Sequence, residues 1–461
     1  MGFSENFIWG VASSAYQTEG AAFEDGKGAS IWDSFSRKPG AVFEGDTGDI
    51  ACDGYHRYQE DIELMASMGI KAYRFSISWP RVDPQGDGTF NELGFAYYDR
   101  VIDSCLSCGI EPYITLYHWD LPQLLEDRGG WQNRNTCLAF AGYCRAVAER
   151  FRGRVRHYFT INEIQCVVSL GYQSGIYAPG KMLPVTELFQ IWHNLLMAHG
   201  LAYREIKDID PSAHVSLAST GKLCCPETGK QADLEAARKA SFEISADDWL
   251  FTHNMALDPV IFGEYPETDD PVFRPLFGAV PRNELGIINT GADTLALNIY
   301  NGSSVRAGKN GEPEYVPKAP GCPRTALKWP VTPEVMEYGP RFICERYHRP
   351  VLITENGVSC NDLIYLDGKV HDLDRIDFLT RYLGSLRRCI ESGVPVNGYF
   401  HWSFTDNFEW SRGYSERMGL VYVDYLTHRR IPKESAAWFS LLLAKNGENL
   451  DNTMPDCVTV S

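Results

Sequence analysis

No run of about 18 consecutive apolar residues occurs in the chain, so no segment is read as a bilayer-spanning helix. There is also no Lys- or Arg-rich run. The 43 basic residues are outnumbered by 60 acidic ones, giving a net charge of −17. That balance argues against nucleic acid or an anionic membrane as partner and mainly favours solubility. The opening Met-Gly-Phe-Ser-Glu-Asn-Phe lacks a basic segment leading into an apolar one, so no secretory signal is expected. Asn6 stands where a myristoylation signal requires Ser or Thr. His56, His118 and His193 do not form a His-Glu-x-x-His pattern. Cys105-Leu-Ser-Cys108 has no second pair of matching spacing, so its thiols are read as small hydrophobes on one helical face. Gly26-Lys-Gly-Ala-Ser30 lacks the upstream glycine of a phosphate loop. No metal and no cofactor is expected. Thirteen cysteines, an odd number without a signal, favour reduced thiols and a cytoplasmic location.

The 44% hydrophobic and 22% charged composition is that of a globular chain with a large core. Strands are predicted at Phe7–Ala12, Lys71–Trp79, Glu111–His118, Val155–Glu163, Val215–Ser219, Thr294–Tyr300, Val351–Glu355 and Val396–Trp402. Pro80 is expected to stop the second of these. Helical periodicity is predicted over Asp53–Met68, with Asp53 as its cap, and over Leu93–Cys108, Asn135–Phe151 and Glu187–Asp208. It recurs over Glu235–His253, Arg375–Ser392 and Ser435–Leu443. Asn301–Pro333 is rich in Gly and Pro and is expected to be a long loop, which hides the helix of the sixth unit. The alternation predicts an α/β fold: a single (β/α)8 TIM barrel over residues 1–461, with elaborated βα loops.

Val351-Leu-Ile-Thr-Glu-Asn-Gly357 reads as a buried strand with a carboxylate, Glu355, at its end. Such a group is costly to hide and must meet partners or water in a cleft. Val155–Glu163 has the same design, ending in Asn162 and Glu163. One strand-end glutamate alone is more often a solvated surface residue; two suggest paired-carboxylate chemistry, for which glycoside hydrolysis is the leading use. In a barrel, functional side chains collect at the C-terminal ends of strands. Those ends carry Gln17, Arg74, Trp79, His118, Trp119, Asn162, Asn298, Tyr300 and Trp402, with Glu409 and Trp410 just beyond. Amides, an imidazole and carboxylates suit a hydroxyl-rich neutral ligand, whose apolar ring face stacks on aromatic rings.

Five blocks in order carry a family resemblance: Phe7-Ile-Trp-Gly-Val-Ala-Ser-Ser-Ala-Tyr-Gln-Thr-Glu-Gly20, Tyr73-Arg-Phe-Ser-Ile-Ser-Trp-Pro-Arg81, Leu116-Tyr-His-Trp-Asp-Leu-Pro122, Ile353-Thr-Glu-Asn-Gly357 and Gly398-Tyr-Phe-His-Trp-Ser-Phe-Thr-Asp-Asn-Phe-Glu-Trp410. Over essentially its full length the chain resembles the β-glucosidase and β-galactosidase-like enzymes of glycoside hydrolase family 1. The resemblance implies that Glu355 is a nucleophile and Glu163 a general acid/base in a retaining double displacement. It implies that Arg74, Tyr300 and Asn298 support the nucleophile. It implies further that Gln17, His118, Trp119, Asn162, Trp402, Glu409 and Trp410 hold the sugar, and that Trp329 forms a platform on the aglycone side. Arg74 and Tyr300 would lower the pKa of Glu355, while burial and a second carboxylate would raise that of Glu163. Retention requires carboxyls about 5–5.5 Å apart.

The chain departs from the family pattern at Ile164, where Pro usually follows the acid/base, and at Ile299, which replaces an aromatic residue. A glutamate at position 163 favours O-glycosides over thioglycosides, and Glu409 would repel a 6-phosphate. The expected partner is a small β-glycoside or oligosaccharide, with glucose, galactose and fucose all open at the sugar, neither nucleic acid nor membrane, and a homo-oligomer left open. The competing readings are a non-catalytic carbohydrate-binding barrel and a 6-phospho-β-glycosidase.

Overall fold

The computed structural model describes residues 2–245 and 247–450. Eight parallel strands close into a barrel: β1 (Ile8–Ala12), β2 (Ala72–Ser76), β3 (Glu111–Tyr117), β4 (His157–Asn162), β5 (His214–Ser219), β6 (Leu295–Asn298), β7 (Val351–Asn356) and β8 (Val396–Trp402). Each pairs with its neighbour in sequence, and β1 closes the ring against β8 with Ala12 opposite Trp402. Helices cover the outside, so the strands are buried on both faces and read as nearly continuous apolar runs; every residue of β7 is buried. Inside the barrel, Ala12, Ala72, Ala218 and Ala296 make room for Tyr113, Phe159, Phe400 and Leu352. Gly10 belongs to the same economy of space, since a Cβ there would lie 2.5 Å from the Phe400 ring. The fold is therefore the (β/α)8 barrel read from the alternation, with its interior filled by side chains rather than left as a pore.

Several local expectations change. The helix of the sixth unit is Val335–Tyr347, starting just past the loop thought to hide it. That loop is not structureless: Ser303–Ala307 pairs antiparallel with Pro313–Tyr315 and parallel with Cys224–Pro226. Strands so short, one of them drawn from far back in the chain, leave no periodicity to read. The single helix expected over Glu235–His253 is two, Gln231–Phe242 and His253–Ile261. Between them Trp249 is buried in a 3₁₀ turn, and Phe251 accepts a 2.7 Å backbone hydrogen bond from Lys222. Asp53 occupies the N-cap position of its helix, but its side chain does not accept a capping hydrogen bond. It has φ 55°, and its carboxylate meets His56 Nδ1 at 2.6 Å and Arg57 Nε at 3.2 Å. Pro80 does not end a strand either; β2 stops at Ser76, and Pro80 lies in the first turn of the helix Trp79–Val82, where its missing N–H costs nothing.

Beyond β7 and β8 the chain is held by buried ion pairs. Lys433 Nζ donates to Asp362 Oδ2 and Asp406 Oδ1, each at 2.6 Å, with its side chain wholly buried. Arg375 binds Asp362 at 2.7 Å and also Asp372, while Arg417 binds the other oxygen of Asp406 at 2.7 Å. This network fixes the segment running from Trp402 to Trp410 against the helix Glu434–Ala444. Lys433→Met removes a buried cation shared by two carboxylates and leaves each with its arginine alone, so it is expected to destabilise the protein by about 3–5 kcal/mol in urea denaturation. A loss below about 1 kcal/mol, the range of exposed pairs, would show that the network is dispensable.

Candidate active site

The barrel strands end irregularly where chemistry is expected. The β4–β5 register shifts between Phe159 and Asn162, and the β6–β7 register between Ile353 and Glu355. Such irregularities re-aim side chains at strand ends. Glu163 follows at φ 49° and ψ 70°, with Trp119 at φ 83° and Trp410 at φ 49°. Three non-glycine residues in left-handed backbone around one cavity are held there by their surroundings at a cost in strain. Gly357 is required for close approach, since a Cβ would lie 1.9 Å from the carbonyl oxygen of Trp402. A cavity of about 500 Å³ opens over these strand ends, with Glu163 and Glu355 both in its wall.

Glu355 is 3% exposed and held on both oxygens. Arg74 Nη1 donates to Oε1 at 2.5 Å, and the Tyr300 hydroxyl donates to Oε2 at 2.7 Å. Arg74 is itself fixed by Thr115 Oγ1 at 3.1 Å, Asn162 Oδ1 at 2.6 Å and the Thr354 carbonyl at 3.3 Å, and its guanidinium lies over the Phe159 ring. Burial nevertheless outweighs Arg74 and Tyr300 and leaves the carboxyl above its ordinary value, contrary to the lowering expected from those partners.

Glu163 has no cation partner among the described residues. Asn298 Nδ2 donates to its Oε1 at 2.8 Å, and the amide is held that way round by Thr354 Oγ1, which donates to Asn298 Oδ1 at 2.7 Å. Asn298, expected beside Glu355, donates to Glu163 and to Asn162 Oδ1 and also reaches Glu355, where it favours the ionised carboxylate. Burial first and the Glu355 charge second push Glu163 from 4.5 to about 7, with the Cys166 thiol and the Asn298 amide pulling the other way. Ile164, where proline was the family expectation, is the first residue of the helix Ile164–Val168. That position suits proline because its N–H is unpaired in any case. Isoleucine keeps the geometry and is wholly buried.

Deeper in the cavity, His118 Nε2 meets Asn162 Nδ2 at 3.2 Å. Burial and then Arg74 keep the imidazole neutral, and since Nε2 accepts from the Asn162 amide its proton lies on Nδ1, which has no partner among the described residues. Glu409 Oε2 is likewise buried without a partner, and burial with Glu416 and the two other glutamates raises this carboxyl to about 8. Buried polar atoms are rarely left unpaired except where a ligand or water serves them. Trp119 and Trp410 face one another at 4.6 Å, His118 stacks near Trp402 at 5.5 Å, and Trp119 Nε1 is tied to the Asn162 carbonyl at 2.8 Å. Trp329 is 36% exposed at the mouth, edge-on to Tyr300.

The structure brings all the candidates but Arg74, Gln17 and Trp79 to the cavity wall; Trp79 is wholly buried in the core, stacked on Tyr143. Arg74 acts from beneath. Gln17 is wholly buried and donates to the Phe408 carbonyl at 2.9 Å and to Asn407 Oδ1 at 3.2 Å, so it braces the segment that carries Glu409. Sequence reasoning passed over Cys166, Tyr177 and Thr354. Cys166 stands three residues after Glu163 at the start of a helix, a spacing that returns its thiol to that carboxyl; this was the available signal. The arrangement can supply an ionised carboxylate clamped in place and, opposite, a carboxyl still protonated near neutral pH.

Comparison with known proteins gives a consistent result. The model for Glycosyl hydrolase family 1 matches residues 1–448. The chain is 40% identical to Beta-glucosidase A of Thermotoga maritima, covering 96% of this chain and 98% of that protein. It is 40% identical to a 1,4-beta-D-glucan glucohydrolase of Thermotoga neapolitana, over 96% and 99% respectively. The solved Thermotoga maritima beta-glucosidase in complex with deoxynojirimycin superposes with a TM-score of 0.87 at 39% identity, covering 97% of this chain and 99% of that one.

Carboxyl titration followed by ¹³C NMR is expected to place Glu163 near 7, and lower in Glu355→Gln, where the neighbouring charge is gone. A pKa raised on folding means that the folded state holds the proton longer, so stability falls as pH rises from the ordinary carboxylate range through about 7. Glu163→Gln should therefore stabilise the protein above that pH, by on the order of 2 kcal/mol. An unchanged or lowered stability there would contradict the burial cost assigned to this carboxylate.

Proposed function

The chain belongs to glycosyl hydrolase family 1, and we propose that it is a retaining β-glucosidase that releases terminal non-reducing β-D-glucosyl residues from small glycosides or oligosaccharides. The observation that carries this reading is the unequal environment of two buried carboxyls in one cavity: Glu355 clamped by Arg74 and Tyr300, Glu163 held only by neutral donors. Glu355 attacks the anomeric carbon while Glu163 gives its proton to the departing glycosidic oxygen, forming a covalent glycosyl-enzyme. Acylal formation removes the charge on Glu355, and with it a cause of the raised pKa of Glu163. Glu163 then takes a proton from the incoming water, and the second displacement restores the original anomeric configuration.

The sugar is a neutral hexose in this reading. His118 Nδ1 and Glu409 Oε2 are a donor and an acceptor available to its hydroxyls, and Trp119, Trp402 and Trp410 offer faces for its ring. The names of the relatives favour glucose. A cytoplasmic location goes with the proposal, supported by free thiols such as Cys52, Cys105, Cys137 and Cys144 packed in the interior. Among the described residues no helix is long and apolar enough to cross a membrane.

p-Nitrophenyl β-D-glucoside should be hydrolysed, and Glu355→Ala should reduce turnover to background. Azide should rescue that variant with formation of the α-glucosyl azide, whereas Glu163→Ala, slowed about 10²–10⁴-fold, should give the β-glucosyl azide. Rescue with the opposite pairing of product and variant would reverse the two roles. For wild type, kcat/KM should fall as pH rises through about 7, where Glu163 loses its proton, and Glu163→Ala should lack that limb.

A further inference from the structure

Resting on the β-glucosidase reading, we propose that Gln165 is a positioning residue for Glu163: its buried side chain, bound to Ser219 and through it to His253, holds the turn that presents the acid/base carboxyl. Glu163 leaves β4 at φ 49° and ψ 70°, a left-handed conformation that its surroundings must enforce. Proline at position 164 would fix its own φ at about −65° and stiffen that turn from within the chain; Ile164 provides no such restraint. The main-chain N–H of Glu163 donates to the Ala218 carbonyl at 2.8 Å, next to the β4–β5 register shift.

Gln165 continues that attachment by one residue along β5. Its Nε2 donates to Ser219 Oγ at 2.9 Å, and Ser219, the last residue of β5, meets His253 Nδ1 at 2.9 Å. All three side chains are wholly buried. Burial pushes the imidazole down to about 3, so His253 is neutral. Its Nδ1 accepts the Ser219 hydroxyl proton, which leaves the lone pairs of Ser219 to the Gln165 amide. His253 opens the helix His253–Ile261, so the chain of bonds runs from the residue two after Glu163 to the outer helical layer. The Gln165 carbonyl is tied as well, accepting from Ser169 Oγ at 2.7 Å. Gln165 Oε1 has no partner among the described residues. An apolar side chain would avoid the cost of burying that oxygen, so what the amide contributes is direction rather than net stability. Direction matters here, because a displacement of about an ångström in a reacting group costs about two orders of magnitude in rate.

The test separates placement of the acid from general damage. Phenol departs with the proton of Glu163, whereas 2,4-dinitrophenolate is stable enough to leave without one. The ratio of kcat/KM for phenyl β-D-glucoside to that for 2,4-dinitrophenyl β-D-glucoside therefore reports acid catalysis and does not depend on the fraction of enzyme that is folded. We expect this ratio to fall about tenfold in Gln165→Met and in Ser219→Ala, a part of the 10²–10⁴-fold that a general acid supplies. The double variant should fall no further than the lower single, since both substitutions break one chain of bonds. Methionine keeps the length of the side chain and alanine is the smallest change at 219, and circular dichroism confirms the fold of each. A ratio unchanged in both single variants overturns the inference, as does a double variant that loses substantially more than either single. A folded wild type that releases no dinitrophenolate above the uncatalysed rate would instead remove the glucosidase reading itself, and this inference with it.

Discussion

Arg74 is the contact on which the rest of the site depends. It sits wholly buried in the middle of β2 and reaches Glu355, Asn162, Thr115 and the main chain of Thr354. One guanidinium thereby connects side chains from β2, β3, β4 and β7. Its planar fork suits this role, because a lysine ammonium could neutralise Glu355 but could not hold Asn162 in a fixed direction at the same time. The charge pairing itself is a weak source of stability, since desolvating both ions offsets much of their attraction. What it contributes is a difference between two glutamates that are otherwise alike: both buried, both at strand ends, both raised by that burial.

The scaffold gives that difference its precision. Asn298 is oriented by the hydroxyl of Thr354, the residue before Glu355, so the group that touches one carboxyl is set by the side chain next to the other. Ile299 N–H donates to the Glu355 carbonyl at 2.9 Å, and Asn356 Nδ2 donates to the Ile299 carbonyl at 2.8 Å, locking β6 to β7 just where their register shifts. Beyond the strands the same rigidity comes from Asp406 and Lys433, which hold the segment leading to Glu409. Misplacing a reacting group by an ångström can cost two orders of magnitude in rate, and restraint of this kind is how a loop-borne carboxylate keeps its place.

Much of this was legible in the chain because barrel and site follow the same rule. Strand ends gather at one rim, so the terminal residues of Val155–Glu163 and Val351–Glu355 could be brought together without any model of the loops. Glu163, Glu355, Tyr300 and Arg74 were found in that way. Less legible were features set by contacts across the sequence. The sheet joining Cys224–Pro226 to Ser303–Ala307 pairs strands whose partners lie far apart in the chain. Gln17 sits near a strand end as a site residue should, yet its amide is spent on Phe408, and no local pattern separates a ligand contact from a brace. The balance of burial against Arg74 at Glu355 is likewise a property of the packed molecule: sequence names the partners, but only depth decides which effect wins.

Three carboxyls share the cavity, and their protons are linked. Glu409 is raised to about 8 in part by Glu355 and Glu163. Coupling between titrating groups is reciprocal, so charge on Glu409 must in turn favour the protonated form of Glu163. A sugar hydroxyl that donates to Glu409 stabilises the ionised form there. Filling the inner half of the cavity with a neutral hexose therefore adds negative charge close to Glu163 at the moment when that group must still hold a proton. Attack by Glu355 then removes a different negative charge and releases the proton that sugar binding helped retain. Recognition and acid catalysis are joined through the electrostatics of one cavity lined by Glu163, Glu355 and Glu409.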